Sequence, residues 1–172
     1  AKGDRVVIIA PNSPYWLYVF WGCICAGVII VPLNVQSTPE MIQRVIEQTG
    51  ATVVFVHLLE RYQLSKKITS YIVDYLPELL QSINEHEHIP VSLSADDVVQ
   101  ILYTSGTTGF PKGALLHHRG ITNDARFVTA RFGVAPGETQ VSPMPLFHVG
   151  GCVLAVLGTL SVAGTYIPVL AF

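Results

Sequence analysis

The chain has 172 residues, of which half are hydrophobic and 13% are charged, and its formal net charge at pH 7 is -2. A chain of this length can bury a core of its own, and its charged fraction is about half that of an average soluble domain. The charge is close to neutral and forms no basic stripe, which argues against a nucleic-acid partner. The low charge content is typical of a membrane protein or of an α/β protein whose parallel strands are buried on both faces.

Strand and helix patterns alternate in the first third of the chain. The predicted elements are a strand over 4–10, a helix from Pro14 with Ser13 as its cap, a strand over 28–31, a helix from Thr38 to Gly50 and a strand over 51–56. Such alternation is typical of βαβ units and predicts a parallel sheet with right-handed crossovers.

Two stretches without charge, 14–39 and 149–172, are each long enough to cross a bilayer. Each stretch divides into a helix-compatible half, an Ala-Gly pair and a short strand-like run that ends near a proline. Glycine favours the end of a helix, and β-branched residues favour strands. The pattern therefore favours an α/β protein without an integral membrane span, and a small membrane protein is kept as an alternative.

The three cysteines, Cys23, Cys25 and Cys152, lie in apolar surroundings. Their odd number and their spacing fit neither a disulfide framework nor a four-ligand zinc site. We predict that they are core thiols in a reducing compartment. No signal-peptide pattern is visible, so the cytoplasm is the expected location.

The segment 57–95 is the least informative part of the chain. We predict a surface helix around 62–80, followed by a polar connector that contains His86 and His88. These histidines could contact a metal, but no third ligand lies at a defined spacing, and a solvated loop is favoured. No function is assigned to this segment.

The most informative segment follows a predicted strand over 98–103. Residues 103–113 read Tyr-Thr-Ser-Gly-Thr-Thr-Gly-Phe-Pro-Lys-Gly and combine glycines, small hydroxyl side chains and one lysine. Glycines let successive backbone N–H groups face one anion, and hydroxyl and ammonium groups add further donors, so the composition predicts polyphosphate binding. Lys112 is followed by Gly113, which excludes the Walker A pattern. Without the full string, a Gly/Thr surface turn would be the alternative.

This string resembles the signature Tyr-Thr-Ser-Gly-Thr-Thr-Gly-x-Pro-Lys-Gly of the adenylate-forming superfamily, which includes acyl-CoA synthetases, luciferases and peptide-synthetase adenylation domains. Residues 3–13, 26–34 and 143–148 resemble further conserved blocks of that family, in the same order. The resemblance implies an α/β fold, with a mostly parallel sheet and flanking helices. Residues 1–172 would then form an incomplete N-terminal AMP-binding domain. It would comprise a first βαβ region (1–56), a connector (57–95) and a phosphate-loop region (96–172), without the C-terminal domain.

Members of this superfamily join a carboxylate to ATP, release pyrophosphate and pass the acyl group from the adenylate to a thiol. The resemblance implies an AMP-forming acid–thiol ligase that uses ATP, Mg²⁺ and coenzyme A, with a fatty acid as the expected substrate. The chain alone is expected to be weakly active or inactive. A non-catalytic nucleotide-binding or partner-binding module is the alternative, and peripheral membrane contact and the oligomeric state stay open.

The resemblance also implies roles for individual residues. Those expected to cradle the β- and γ-phosphates are Thr104, Ser105, Gly106, Thr107, Thr108, Gly109 and Lys112. The Thr104 hydroxyl is the candidate metal ligand, and Lys112 would hold the leaving pyrophosphate. His148 would orient the carboxylate beside the acyl pocket, although its residue type alone would favour a packing or capping role. His118 is assigned to packing or capping at the start of a helix.

Overall fold

The computed structural model describes residues 1–57, 62, 64–82, 91–104 and 111–170. The strands are β1 (Arg5–Ile9), β2 (Ile29–Pro32), β3 (Val53–Val56), β4 (Thr69–Ile72), β5 (Val98–Thr104), β6 (Lys112–His117), β7 (Thr139–Ser142) and β8 (Thr165–Pro168). The helices are α1 (Pro14–Cys25), α2 (Pro39–Thr49), α3 (Leu76–Ser82), α4 (His118–Phe132), a π-helix (Gly150–Leu157) and α5 (Gly158–Ser161).

Within the described residues, the larger sheet has six strands in the order β4-β3-β1-β2-β5-β6. Its pairings are parallel from β4 across to β5, whereas β5 and β6 pair in antiparallel fashion. A separate two-stranded parallel sheet joins β7 and β8. The predicted α/β class with a mostly parallel sheet is therefore confirmed.

The central strand β1 explains the apolar composition. Val7, Ile8 and Ile9 are fully buried, because helices cover both faces of the sheet. One core cluster packs the sheet against α1 and the π-helix, and the other packs it against α2. Each buried aliphatic side chain contributes roughly 1.5–3 kcal/mol through the hydrophobic effect.

The first two helices begin and end where the sequence predicts. Ser13 Oγ accepts a hydrogen bond from the Trp16 backbone N–H at 3.1 Å, and Thr38 Oγ1 accepts one from Met41 at 3.3 Å. Each such cap contributes about 1 kcal/mol to helix stability. Gly50 ends α2 with φ of 64°, in the left-handed region that favours glycine.

Both uncharged stretches divide into helix and strand as predicted. The first forms α1 and β2, and the second forms the π-helix, α5 and β8. Within the described part of the chain, no helix combines the length and the apolar character needed to span a bilayer. At the second Ala-Gly pair it is Ala163, not the glycine, that adopts a positive φ, of 54°. Gly164 is needed for a different reason, because a Cβ there would lie 2.4 Å from the Glu138 carbonyl oxygen.

The predicted surface helix over 62–80 is wrong for much of its length. Residues Thr69–Ile72 form β4, a 3₁₀ turn follows, and only then does α3 begin. The strand forms because it can pair in parallel with β3, where the ring of Tyr71 stacks on that of Phe55 at 5.2 Å. His86 and His88 lie outside the described residues, and the boundaries at 56 and 95 stay predictions.

The prediction of core thiols holds for two cysteines of three, and the reducing compartment stays a prediction. Cys23 and Cys152 are buried, whereas Cys25 is exposed. On a helix, residues two positions apart point to nearly opposite sides, so Cys25 faces away from the core that holds Cys23.

Candidate functional site

A cleft of about 590 Å³ lies beyond the carboxyl ends of β2 and β5. The residues that line it are Pro32, Leu33, Asn34, Ser37, Met41, Leu102, Tyr103, Thr104, Pro111, Ala114, Leu116, Phe147, His148 and Val149. Ligands of open α/β sheets bind at the carboxyl ends of the strands, and this volume suits a small-molecule site. The structure thus brings two of the predicted site residues, Thr104 and His148, to one cleft.

Thr104 and Lys112 face each other across the β5–β6 hairpin. They are partners in the antiparallel register, and the Thr104 hydroxyl donates a long hydrogen bond of 3.5 Å to the Lys112 carbonyl oxygen. Both residues are exposed, and the Lys112 ammonium has no ion-pair partner among the residues that the structure describes. Lys112 does not line the cleft itself, but its neighbour Pro111 does.

Most of the predicted phosphate-binding residues lie between β5 and β6 in the sequence. Ser105, Gly106, Thr107, Thr108 and Gly109 lie outside the described residues. Their assignment as phosphate ligands stays a prediction.

The first and last residues of the motif, Tyr103 and Gly113, contribute to the packing of the fold. The Tyr103 hydroxyl donates to Gln48 Oε1 at 3.1 Å, which ties β5 to α2, and partial burial raises the pKa of this phenol. Gly113 lies opposite Tyr103 in the register, and a Cβ there would come within 2.8 Å of the Ile101 Cγ2 atom. A larger residue at 113 would therefore displace the Ile101 side chain.

His148 stands just before the π-helix, with an exposed side chain that lines the cleft. Its Nδ1 accepts a hydrogen bond from the Gly150 backbone N–H at 3.1 Å. In the neutral ring, an accepting Nδ1 places the proton on Nε2. This arrangement leaves Nε2–H as a donor that can serve a ligand.

Asn12 is a site residue that residue-level reasoning missed. It lies in the loop after β1, and its amide nitrogen donates to the carbonyl oxygens of Met144 (3.0 Å) and Val169 (3.2 Å). Its oxygen accepts from the Leu146 backbone N–H at 2.8 Å. Asn12 thereby fixes the segment that presents His148. The available signal was its place within the block 11–13, which resembles a family motif.

Gly151, in the first turn of the π-helix, allows the helix to pack closely against the Pro145 backbone. A Cβ at this position would lie 2.2 Å from the Pro145 carbonyl oxygen, a distance at which no side chain fits. The His148 carbonyl oxygen accepts from the Gly151 N–H at 3.0 Å within the same turn.

The capping role considered for His118 belongs to its neighbour. His117 Nδ1 accepts from the Gly120 backbone N–H at 3.0 Å and caps α4, because the cap position precedes the first helical residue. His118 is half-buried, and burial lowers its pKa. It lines a second cavity, of about 380 Å³, between α1, α4 and α5. His118 therefore packs rather than caps.

The candidate metal ligand, the Thr104 hydroxyl, is an oxygen donor at the end of β5. Among the described residues, no group of three or more His, Cys, Asp or Glu side chains could hold a metal. Mg²⁺ commonly binds through one or two protein oxygens, substrate phosphates and water. Among the residues that the structure describes, the exposed Thr104 hydroxyl makes one long hydrogen bond, which is compatible with that mode.

Comparison with known families identifies the fold. The family model described as "AMP-binding enzyme" matches residues 1–170. The chain belongs to this family.

Curated proteins that are similar to this chain include CoA ligases. Feruloyl-CoA synthase from Amycolatopsis sp is 34% identical over 99% of this chain and 34% of its own length. 4-Coumarate:CoA ligase 1 from Petunia hybrida is 30% identical over 85% of this chain and 30% of its own length. The chain spans about a third of the length of the curated relatives that it matches.

Two solved structures share the fold of this chain. The inhibitor-bound N-terminal domain of FACL13 from Mycobacterium tuberculosis has a TM-score of 0.86 and 30% identity, covering all of this chain and 45% of that domain. ATP-bound MatB from Rhodopseudomonas palustris has a TM-score of 0.88 and 25% identity, covering all of this chain and 36% of that protein.

Proposed function

We propose that the protein carrying this chain is an ATP-dependent, AMP-forming ligase that activates a carboxylic acid and transfers it to coenzyme A. The supporting observation is the cleft that Thr104 and His148 share, with the phosphate-loop hairpin at its edge. Membership of the AMP-binding family supports the same chemistry. This chain supplies the nucleotide-facing part, and its isolated activity is expected to be weak or absent.

The hairpin between β5 and β6 binds the phosphate end of ATP in this proposal. Lys112 is exposed and free of ion pairs among the described residues, so its ammonium is available to the β- and γ-phosphates. Thr104 offers its hydroxyl to Mg²⁺, which when bound neutralises charge that builds on the departing pyrophosphate. In this proposal, residues Ser105–Gly109 add backbone and hydroxyl donors.

His148 binds the carboxylate of the acid substrate in this proposal. A carboxylate is a poor nucleophile toward an anionic α-phosphate, so it must be held in line with the leaving group. The Nε2–H of His148 donates to the carboxylate, while Nδ1 stays occupied by the Gly150 N–H. His148 thus orients the carboxylate nucleophile through a hydrogen bond and leaves it negatively charged.

The substrate is an acid with an apolar body. Leu102, Leu116, Phe147 and Val149 give the cleft apolar walls beside His148. A fatty acid remains the first candidate, and one of the similar structures is a Mycobacterium tuberculosis fatty acyl CoA synthetase. Hydroxycinnamic acids are the second candidate, because feruloyl-CoA synthase and 4-coumarate:CoA ligase are among the similar curated proteins.

Acid-dependent ATP–pyrophosphate exchange by the intact protein tests this function. We expect exchange only when ATP, Mg²⁺ and a suitable acid are all present, with fatty acids of graded length and hydroxycinnamic acids as the panel. Saturable ATP binding without exchange for any acid would contradict the ligase proposal and favour a non-catalytic nucleotide-binding module.

A further inference from the structure

We infer that Gln100 and Cys152 are positioning residues that hold His148 in place through a buried chain of hydrogen bonds, from amide to thiol to backbone carbonyl. Neither residue is among those that line the cleft. The inference rests on the proposed function, because it matters for catalysis only if His148 orients the acid.

Gln100 is a polar residue in the middle of a buried sheet. It is fully buried, with Ile30 of β2 and Leu116 of β6 as its neighbours across the sheet. A buried amide destabilises the fold unless it is hydrogen-bonded. Gln100 Nε2 donates to Cys152 Sγ at 3.3 Å. This amide is therefore committed to a contact between β5 and the π-helix.

Cys152 links Gln100 to the backbone of His148. Its thiol donates to the His148 carbonyl oxygen at 3.3 Å. The same oxygen accepts from the backbone N–H groups of Gly151 at 3.0 Å and Cys152 at 3.1 Å. Burial raises the pKa of the Cys152 thiol to about 11, so the thiol keeps its proton and remains a donor near neutral pH. The backbone of His148 is held on its carbonyl side by these three donors.

Strand β5, which contains Gln100, also contributes residues to the lining of the cleft. Alternate residues of a strand face the same side, so Gln100, Leu102 and Thr104 point toward one face of the sheet. Leu102 and Thr104 line the cleft together with His148. The Gln100–Cys152 contact therefore fastens the strand that ends at Thr104 to the turn that begins at His148. The contact sets the distance between Thr104, at the phosphate-binding end of the cleft, and His148, at the carboxylate-binding end.

Variants of the intact protein can separate positioning from packing. Gln100→Met removes the amide and keeps the side-chain length, and Cys152→Ala removes the thiol. Cys152→Ser keeps a donor and an acceptor. Cys23→Ala is the matched control, because Cys23 is a buried thiol in the same core cluster and has no polar side-chain contact among the described residues.

The first readout is the His148 ring in histidine-labelled protein, observed by NMR without substrate. We expect wild type and Cys152→Ser to show the Nε2–H form. Gln100→Met and Cys152→Ala should show a mixture of ring states, because the Gly150 N–H no longer meets Nδ1 in one geometry. Cys23→Ala should match wild type.

The second readout is the rate of acid-dependent exchange. Gln100→Met and Cys152→Ala should lower kcat roughly 10-fold, since misplacing a reacting group by about 1 Å can lower a rate by up to 100-fold. The KM for ATP should stay near that of wild type, and Cys152→Ser should restore kcat. The double variant Gln100→Met, Cys152→Ala should be no slower than the slower single variant.

Unchanged His148 signals in Gln100→Met and Cys152→Ala would overturn the inference. So would an equal loss of kcat in Cys23→Ala, since the loss would then reflect the core rather than the chain of hydrogen bonds. If the wild-type protein shows no exchange with any acid, the ligase proposal fails, and the NMR comparison alone decides whether Gln100 and Cys152 position His148.

Discussion

The Asn12 carboxamide accepts a hydrogen bond from the Leu146 backbone N–H at 2.8 Å, although the two residues are 134 positions apart in the chain. The same amide donates to Met144 and Val169. One side chain in the loop after β1 thus fixes the segment that leads to His148. Two blocks that resemble family motifs meet at this contact.

Asn12→Ala should lower the free energy of unfolding by roughly 2 kcal/mol, because it leaves the Leu146 N–H and two carbonyl groups without their partner. Asn12→Asp should be no better, since a carboxylate oxygen would face the carbonyl oxygens of Met144 and Val169. Urea unfolding measures both. Asn123→Ala, at an exposed position of α4, is the control and should leave stability unchanged or slightly higher. Equal stability of Asn12→Ala and wild type would show that the clamp is not formed.

Gly151→Ala should destabilise the protein by about 3 kcal/mol, because the added methyl group would overlap the Pro145 carbonyl. Gly22→Ala makes the opposite comparison within α1, where a Cβ meets nothing within 4 Å. That variant should gain up to about 1 kcal/mol through helix propensity. Thermal unfolding of both variants beside wild type measures the predicted loss and the predicted gain of stability. A Gly151→Ala variant as stable as wild type would contradict the close packing of Gly151 against Pro145.

The three thiols should differ in reactivity. Burial raises the pKa of Cys23 to about 12 and that of Cys152 to about 11, so neither forms the reactive thiolate at pH 8. Brief iodoacetamide treatment of native protein, followed by peptide mass spectrometry, should find the label on Cys25. All three cysteines should react in guanidinium. Native labelling of Cys152 at the rate of Cys25 would contradict the packed core.

The same thiols predict a loss of stability at alkaline pH. Their folded-state pKa values lie above the value of about 8.5 for an unfolded chain, so the folded state binds these protons more tightly. The stabilising contribution is present below pH ~8.5 and is lost as the pH rises toward 11 and 12. Cys23→Ala should show a weaker decline in the unfolding midpoint between pH 8 and 10.5, whereas an unchanged decline would mean that Cys23 does not contribute.

Local signals in the sequence predicted much of the fold. Ser13, Thr38 and Gly50 cap their helices as expected, because capping depends on residues within one turn. β4 was missed, because it is defined by its pairing with β3, which includes the Tyr71–Phe55 stack, and not by a pattern within its own residues. A short strand of this kind has little periodicity of its own.

The site was predicted only in part, for a related reason. Motif resemblance pointed to Thr104, Lys112 and His148, and the structure puts Thr104 and His148 on one cleft. The supporting roles of Asn12 and Gln100 depend on contacts across the fold that no local pattern specifies. A single amide among the apolar residues 98–102 of β5 was the signal for Gln100 in the sequence.

In the proposed function, the β5–β6 hairpin holds the triphosphate of ATP through Lys112. The most direct test is ATP–pyrophosphate exchange by Lys112→Ala in the intact protein, beside Lys67→Ala, which removes the same charge from an exposed position outside the cleft lining. Removing a charged donor to the leaving group should slow exchange at least ~10-fold in Lys112→Ala, whereas Lys67→Ala should match wild type. Equal exchange rates in Lys112→Ala and wild type would contradict the account.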